Sequence, residues 1–114
     1  MVTLVDDQGN HYQGEAVKGS IKDGKGEIKY AADGSYYRGD FANNMRDGRG
    51  ELLMANGDRY IGEWQGDMKS GYGKQEFIAN GVVYYGQWAC GKMHGMGTMT
   101  GPNNYFYNGE WKHG

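Results

Sequence analysis

Residues 86–93, Gly-Gln-Trp-Ala-Cys-Gly-Lys-Met, carry the spacing of a phosphate-binding GxxxxGK loop, and residues 19–26 carry it again. Such a loop needs a Ser or Thr after the lysine, whose hydroxyl holds Mg²⁺, and a helix that follows to cradle the phosphate. Met93 and Gly26 stand at the hydroxyl position, and turn and strand signals follow both segments. Cys90 and His94 are close enough in sequence to make a thiol–imidazole nucleophile. Neither has a third group nearby to orient the imidazole, and both fall in a chain reversal. His11 and His113 lie at opposite ends of the chain. One cysteine and three histidines also fall short of the clustered ligands of a zinc site. Glu15, Asp40, Glu63 and Glu110 recur at one position of a repeating phrase, which assigns them a structural role such as cross-strand pairing with Lys25, Arg49 or Lys74. The residue types available for chemistry therefore predict no catalysis, no cofactor and no metal.

The phrase that carries those carboxylates is the dominant signal. It reads YQGEA at Tyr12, YRGDF at Tyr37, YIGEW at Tyr60, YYGQW at Tyr84 and YNGEW at Tyr107, with the tyrosines 25, 23, 24 and 23 residues apart. Between copies comes a second phrase, G-x-G, at Gly24/Gly26, Gly48/Gly50, Gly71/Gly73 and Gly95/Gly97. A fixed period of this length marks a repeat array, which makes an extended surface more readily than a catalytic constellation.

Turn residues punctuate each copy. Asp33-Gly34, Asn56-Gly57 and Asn80-Gly81 precede their tyrosines by three residues, with Gly9 and Asn104 in the equivalent places. Period-two alternation then puts Tyr60, Gly62 and Trp64 on one strand face and Ile61, Glu63 and Gln65 on the other. The same parity places Arg38, Asp40, Tyr85, Gln87, Asn108 and Glu110 on an opposite, mostly polar face. Gly19, Asn44, Asp67, Gly91 and Gly114 follow the aromatic position by three residues and accept a left-handed turn, so the chain reverses there. The returning strand is expected to open on G-x-G, its glycines leaving room for rings of Tyr and Trp from neighbouring strands. Strands are thus predicted near 11–17, 25–31, 36–42, 49–55, 59–65, 72–79, 82–88, 96–100 and 105–111. Nine strands about 4.8 Å apart would span roughly 40 Å.

Composition agrees with a folded array. Of 114 residues, 22 are glycine, but they recur in register beside aromatics, which disordered segments lack. A net charge of −2 gives no field to favour nucleic acid. A lone Cys90 fits a reducing compartment, and the segment MVTLVDDQGN lacks the basic and apolar stretches of a signal peptide. A cytoplasmic location is expected.

These phrases resemble the MORN repeat (membrane occupation and recognition nexus), whose unit is similar to Y-x-G-x-W, a reversal, G-x-G and then D/N-G. The resemblance covers nearly the whole chain as one domain, 1–114. Its repeats fall near 10–34, 35–57, 58–81 and 82–104, with a partial fifth at 105–114 and a half-hairpin cap at 1–9. Ala16 replaces the aromatic of the first copy, which has one extra residue before Gly24 and so reads as a capping repeat. The resemblance implies an all-β, elongated, single-layer twisted array of antiparallel β-hairpins. It also implies a non-catalytic scaffold or adaptor that joins cytoskeletal or membrane-associated partners.

Two surfaces are candidates for that role. The aromatic stripe of Tyr37, Phe41, Tyr60, Trp64, Tyr84, Trp88, Tyr107 and Trp111 stacks on glycine. A single layer leaves that face without a complete cover, so it is expected to bind protein. Met45, Arg46, Met68, Lys69, Lys92 and Met93 recur in the reversals, where apolar and basic tips can touch a partner or anionic lipid. A homodimer through an edge strand is a further expectation. The competing readings are the targeting or regulatory arm of a larger enzyme, of phosphoinositide-kinase or methyltransferase type, and a direct phospholipid-binding module. The segments at the two ends, half a hairpin and an unfinished reversal, favour the regulatory arm.

Overall fold

The computed structural model of the chain describes residues 1–112. Gly114, expected to reverse the chain, and His113 lie outside the described residues. Among the described residues ten strands follow one another: β1 Val2–Val5, β2 His11–Val17, β3 Ile21–Lys29, β4 Tyr36–Ala42, β5 Met45–Leu53, β6 Arg59–Gln65, β7 Met68–Phe77, β8 Val82–Ala89, β9 Lys92–Thr100 and β10 Phe106–Trp111. They form one open sheet in sequence order, each strand antiparallel to the next. The array is 48 Å long and 24 by 19 Å across. β1 is the returning strand expected of the cap, with Leu4 opposite Tyr12.

The strands that run out from the D/N-G turns begin and end close to expectation. The returning strands do not: they start at residues 21, 45, 68 and 92, three residues before the first glycine of G-x-G and four before the predicted starts at 25, 49, 72 and 96. The cause is a tight reversal. Lys18-Gly19, Asn43-Asn44, Gly66-Asp67 and Cys90-Gly91 all have positive φ at both residues. In the last three this is the two-residue I′ geometry, whose twist matches the flanking strands, so pairing resumes at once; in the first, Ser20 adds a third turn residue between the paired Val17 and Ile21.

G-x-G therefore lies in mid-strand. Its first glycine, at φ +95 (Gly24), +103 (Gly48), +62 (Gly71) and +70 (Gly95), is a bulge residue in the left-handed region. Register shifts there, between Gly14 and Ala16, Gly39 and Phe41, Gly62 and Trp64, and Gly86 and Trp88. A bulge bends its strand and increases the twist. Each hairpin is thus flexed at the same place.

Candidate functional site

The aromatic stripe forms as expected, and its surroundings do not. Its rings meet edge to face in one continuous series, Tyr12–Phe41–Tyr37–Trp64–Tyr60–Trp88–Tyr84–Trp111–Tyr107, at centroid separations of 5.1–5.4 Å. Each Trp touches the tyrosine of its own copy and that of the copy before. Phe41 and the two Trp at positions 64 and 88 are buried, and Tyr37, Tyr60 and Tyr84 are 0% exposed. The expectation of an uncovered groove is therefore corrected for these six. Tyr107 and Trp111 alone keep part of their surface open.

The polar atoms of the stripe are spent inside it. Tyr37, Tyr60, Tyr84 and Tyr107 each donate their hydroxyl to the carbonyl three residues on, at 2.8–3.0 Å, and Tyr12 does the same to Glu15. The indole N–H of Trp64 donates to the Gly50 carbonyl at 3.2 Å, and that of Trp88 to Gly73 at 3.1 Å. Burial drives the phenol pKa of Tyr37 and Tyr60 well above its ordinary value. The second glycine of G-x-G lies beneath the tyrosine ring of the preceding strand. A Cβ at Gly73 would sit 2.5 Å from Tyr60 Cε1, and one at Gly97 would sit 2.5 Å from Tyr84 Cε1. Rings lie over glycines because nothing else fits.

The recurring carboxylates serve the bulges. Glu15, Asp40, Glu63 and Gln87 accept the backbone N–H of Lys25, Arg49, Tyr72 and Met96, the residue between the two glycines, at 2.6–3.1 Å. Two of them also form the expected cross-strand ion pairs, Lys25–Asp40 and Arg49–Glu63. Lys74 instead pairs with Glu76.

The residues expected at loop tips are also relocated, because the reversals are shorter than the sequence suggested. Met45, Arg46, Met68, Lys69, Lys92 and Met93 all belong to strands β5, β7 and β9. Arg46 lies over Trp64, 4.5 Å from its ring centre, and binds Asp67 at 3.1 Å. Lys69 lies between Tyr60 and Trp88, 5.1 and 5.0 Å from their rings, and donates to buried Gln75 at 2.6 Å. Burial among these rings, and secondarily repulsion from Arg46, lowers the Lys69 pKa to about 8. In the fourth copy the order of the pair is swapped, so Met93 takes this place against Trp88 and Lys92 points outward. Met45, Met68 and Lys92 remain exposed.

Tyrosine over glycine, tryptophan bridging to the previous copy and a carboxylate on the bulge make one unit, repeated. A family model described as MORN repeat matches residues 37–59, 60–81 and 84–104, more than half of the chain. The chain belongs to the MORN-repeat family. No curated protein matches it in sequence. The MORN matches open on Tyr37, Tyr60 and Tyr84. The phrases at Tyr12 and Tyr107 fall outside the matched segments, yet their hydroxyls make the same bond. MORN repeats are known in interaction and membrane-associated proteins.

The outer face of this MORN array divides in two. Over β3–β7 it is a ladder of ion pairs, Arg38–Glu51, Glu51–Arg59 and Arg59–Glu76, with Tyr36 donating to Glu27. Over β7–β10 the same parity presents Tyr72, Tyr85, Met96 and Phe106, each more than half exposed. The sequence reading named Tyr85 on this face and missed the other three. Their signal was the alternation itself, since each occupies a position that is Lys, Arg or Glu in an earlier copy.

Proposed function

We propose that the chain is a non-catalytic scaffold that holds a protein partner against the outer face of β7–β10. The observation that carries this reading is the exposure of Tyr72, Tyr85, Met96 and Phe106 on the same face of one sheet. Tyr85 lies across from Lys74 and Thr98, and Tyr72 and Met96 are its diagonal neighbours on the adjoining strands. Diagonal cross-strand neighbours are about 7–8 Å apart, within reach of one another's side chains. Exposed tyrosine and methionine are interface types, and a sheet presents them with little left to order on binding.

Three other features support the same assignment. The repeated polar groups are engaged in holding the array, through hydroxyl-to-carbonyl and carboxylate-to-bulge bonds. The buried stripe leaves no aromatic groove between β4 and β9 for a ligand to enter. β9 follows Gly91 directly, so the GxxxxGK segment opens a strand where a phosphate site needs a helix.

Tyr85→Glu in the full chain tests the proposal. The variant keeps the wild-type circular dichroism and loses the proteins that co-purify with wild type. Arg38→Glu, on the charged half, keeps them. Retention of the same set by Tyr85→Glu and by a Tyr72→Glu/Tyr85→Glu pair would sink the assignment. Liposome flotation of the wild-type chain would then bring the phospholipid reading forward.

A further inference from the structure

The centre of the outer face over β8 and β9 carries no charge. From Val83 to Gln87 and from Met96 to Thr100 the outward side chains are Val83, Tyr85, Gln87, Met96, Thr98 and Thr100, with Tyr85 across from Thr98 and Val83 across from Thr100. The ion pairs lie to one side. Arg59 and Lys74 both reach Glu76, and Arg59 also reaches Glu51. Covering them would desolvate charges that already have partners, so an occupant is centred on β8 and β9 and meets its rim at β7. Tyr72, Tyr85 and Met96 lie on strands paired on both sides, and their exposure is therefore a property of the face and not of an edge.

The open area is close to what a pair of chains needs. A large side chain has about 150–250 Å² of surface. At 54–64% exposed, Tyr72, Tyr85, Met96 and Phe106 each leave about 100 Å² or more of it uncovered. With the polar side chains between them, one copy presents about 500 Å². Two such faces pressed together would bury about 1,000 Å², the size at which an interface becomes specific.

We infer that, on the reading of this face given above, its occupant is a second copy of the chain, packed face to face about a two-fold axis that runs parallel to the strands between β8 and β9. Sheets in such packing lie about 10 Å apart, and a surface that meets its own copy must be self-complementary. This axis sets β8 over β9 of the second copy and β7 over its β10. Tyr85 then lies over Thr98 of the second copy, Gln87 over Met96 and Lys74 over Asn108, each contact occurring twice. No like charges meet. An axis across the strands through Tyr85 would instead set Lys74, its neighbour on β7, against Lys74 of the second copy, a repulsion that selects against it. The contact joins faces and leaves the strand edges out.

Sedimentation equilibrium of the purified full chain, from about 10 μM to about 1 mM, tests this. Wild type should be half-dimerised at or below about 100 μM. Tyr85→Glu and Thr98→Lys, each with wild-type circular dichroism, should each weaken the dimer at least about tenfold. Mixed in equal amounts, the two variants should associate again. The new carboxylate and the new ammonium then meet at one of the two equivalent contacts, and the other contact keeps the wild-type residues. A mixture that stays monomeric would overturn the axis. A dimer that both single variants preserve would overturn the face as its seat. A wild type that is monomeric at about 1 mM would overturn the second copy as occupant. The co-purification test with Tyr85→Glu would still decide whether the face holds another protein, so the two readings fail separately.

Discussion

Gly73 has room for a hydrogen atom and for nothing larger, since the Tyr60 ring occupies the space a side chain would take. Gly73→Val should cost about 3 kcal/mol, the upper part of the overpacking range. Glu63→Gln should cost under about 1 kcal/mol, because Gln87 already does the same work, its Oε1 accepting the Met96 N–H at 2.6 Å. Urea unfolding of the two variants checks this; equal midpoints would show that the glycines are not making room. Lys69 gives a pH signature. Its pKa is about 8 in the folded protein against 10.5 unfolded, so between those values the unfolded chain holds more protons and stability rises with pH. Tyr37 and Tyr60 act in the opposite sense. Their phenols titrate higher folded than unfolded, so stability falls as pH rises above 10. Thermal melting should therefore improve from pH 8 toward 10 and decline beyond. Lys69→Met, which copies Met93, should remove the rise and leave the decline. At this scale the stripe was legible in the spacing of Tyr, Gly and Trp. Its burial was not, because it depends on rings from one copy covering those of another.

At the scale of the hairpin, the left-handed glycine decides the geometry. Gly66 and Gly71 both have positive φ, +54 and +62, but a Cβ at Gly66 meets open space and one at Gly71 meets the Glu63 carboxylate. Gly66→Ala should cost about 1–2 kcal/mol for the backbone alone. Gly71→Ala should exceed it by about 1–2 kcal/mol, since Glu63 must release the Tyr72 N–H. Equal losses in chemical denaturation would mean that the carboxylate contributes nothing to the bulge. The same glycine explains where the sequence misled. Read as the start of a strand, G-x-G moved the reversal outward and put Arg46 and Lys69 on loop tips. Read as a bulge, it lets β5 and β7 begin at Met45 and Met68 and brings both cations over Trp64 and Trp88. Neither the two-residue turn nor the bulge is visible in strand alternation, because both interrupt it. The D/N-G turns at the other end of each hairpin carry ordinary turn chemistry and were legible.

At the scale of the whole molecule, the sheet is one layer in which each strand touches its sequence neighbours, so its stability is shared along its 48 Å length. The two faces divide the labour. One is closed by the ring series and its hydroxyl and indole bonds; the other is left to solvent and, over β7–β10, to Tyr72, Tyr85, Met96 and Phe106. The central claim is that the aromatic stripe is the internal fastening of the array and that recognition belongs to the surfaces outside it. Hydrogen exchange at the indole N–H of Trp64 and Trp88, followed by NMR in the isolated chain, tests this most directly. Both protons are donated to carbonyls beneath the neighbouring copy, at 3.2 and 3.1 Å. Both should exchange as slowly as the central strand amides, with Trp111 at the open end exchanging faster. Exchange of Trp64 and Trp88 at the rate of a free indole would show an open aromatic groove, and would return the binding site to the stripe.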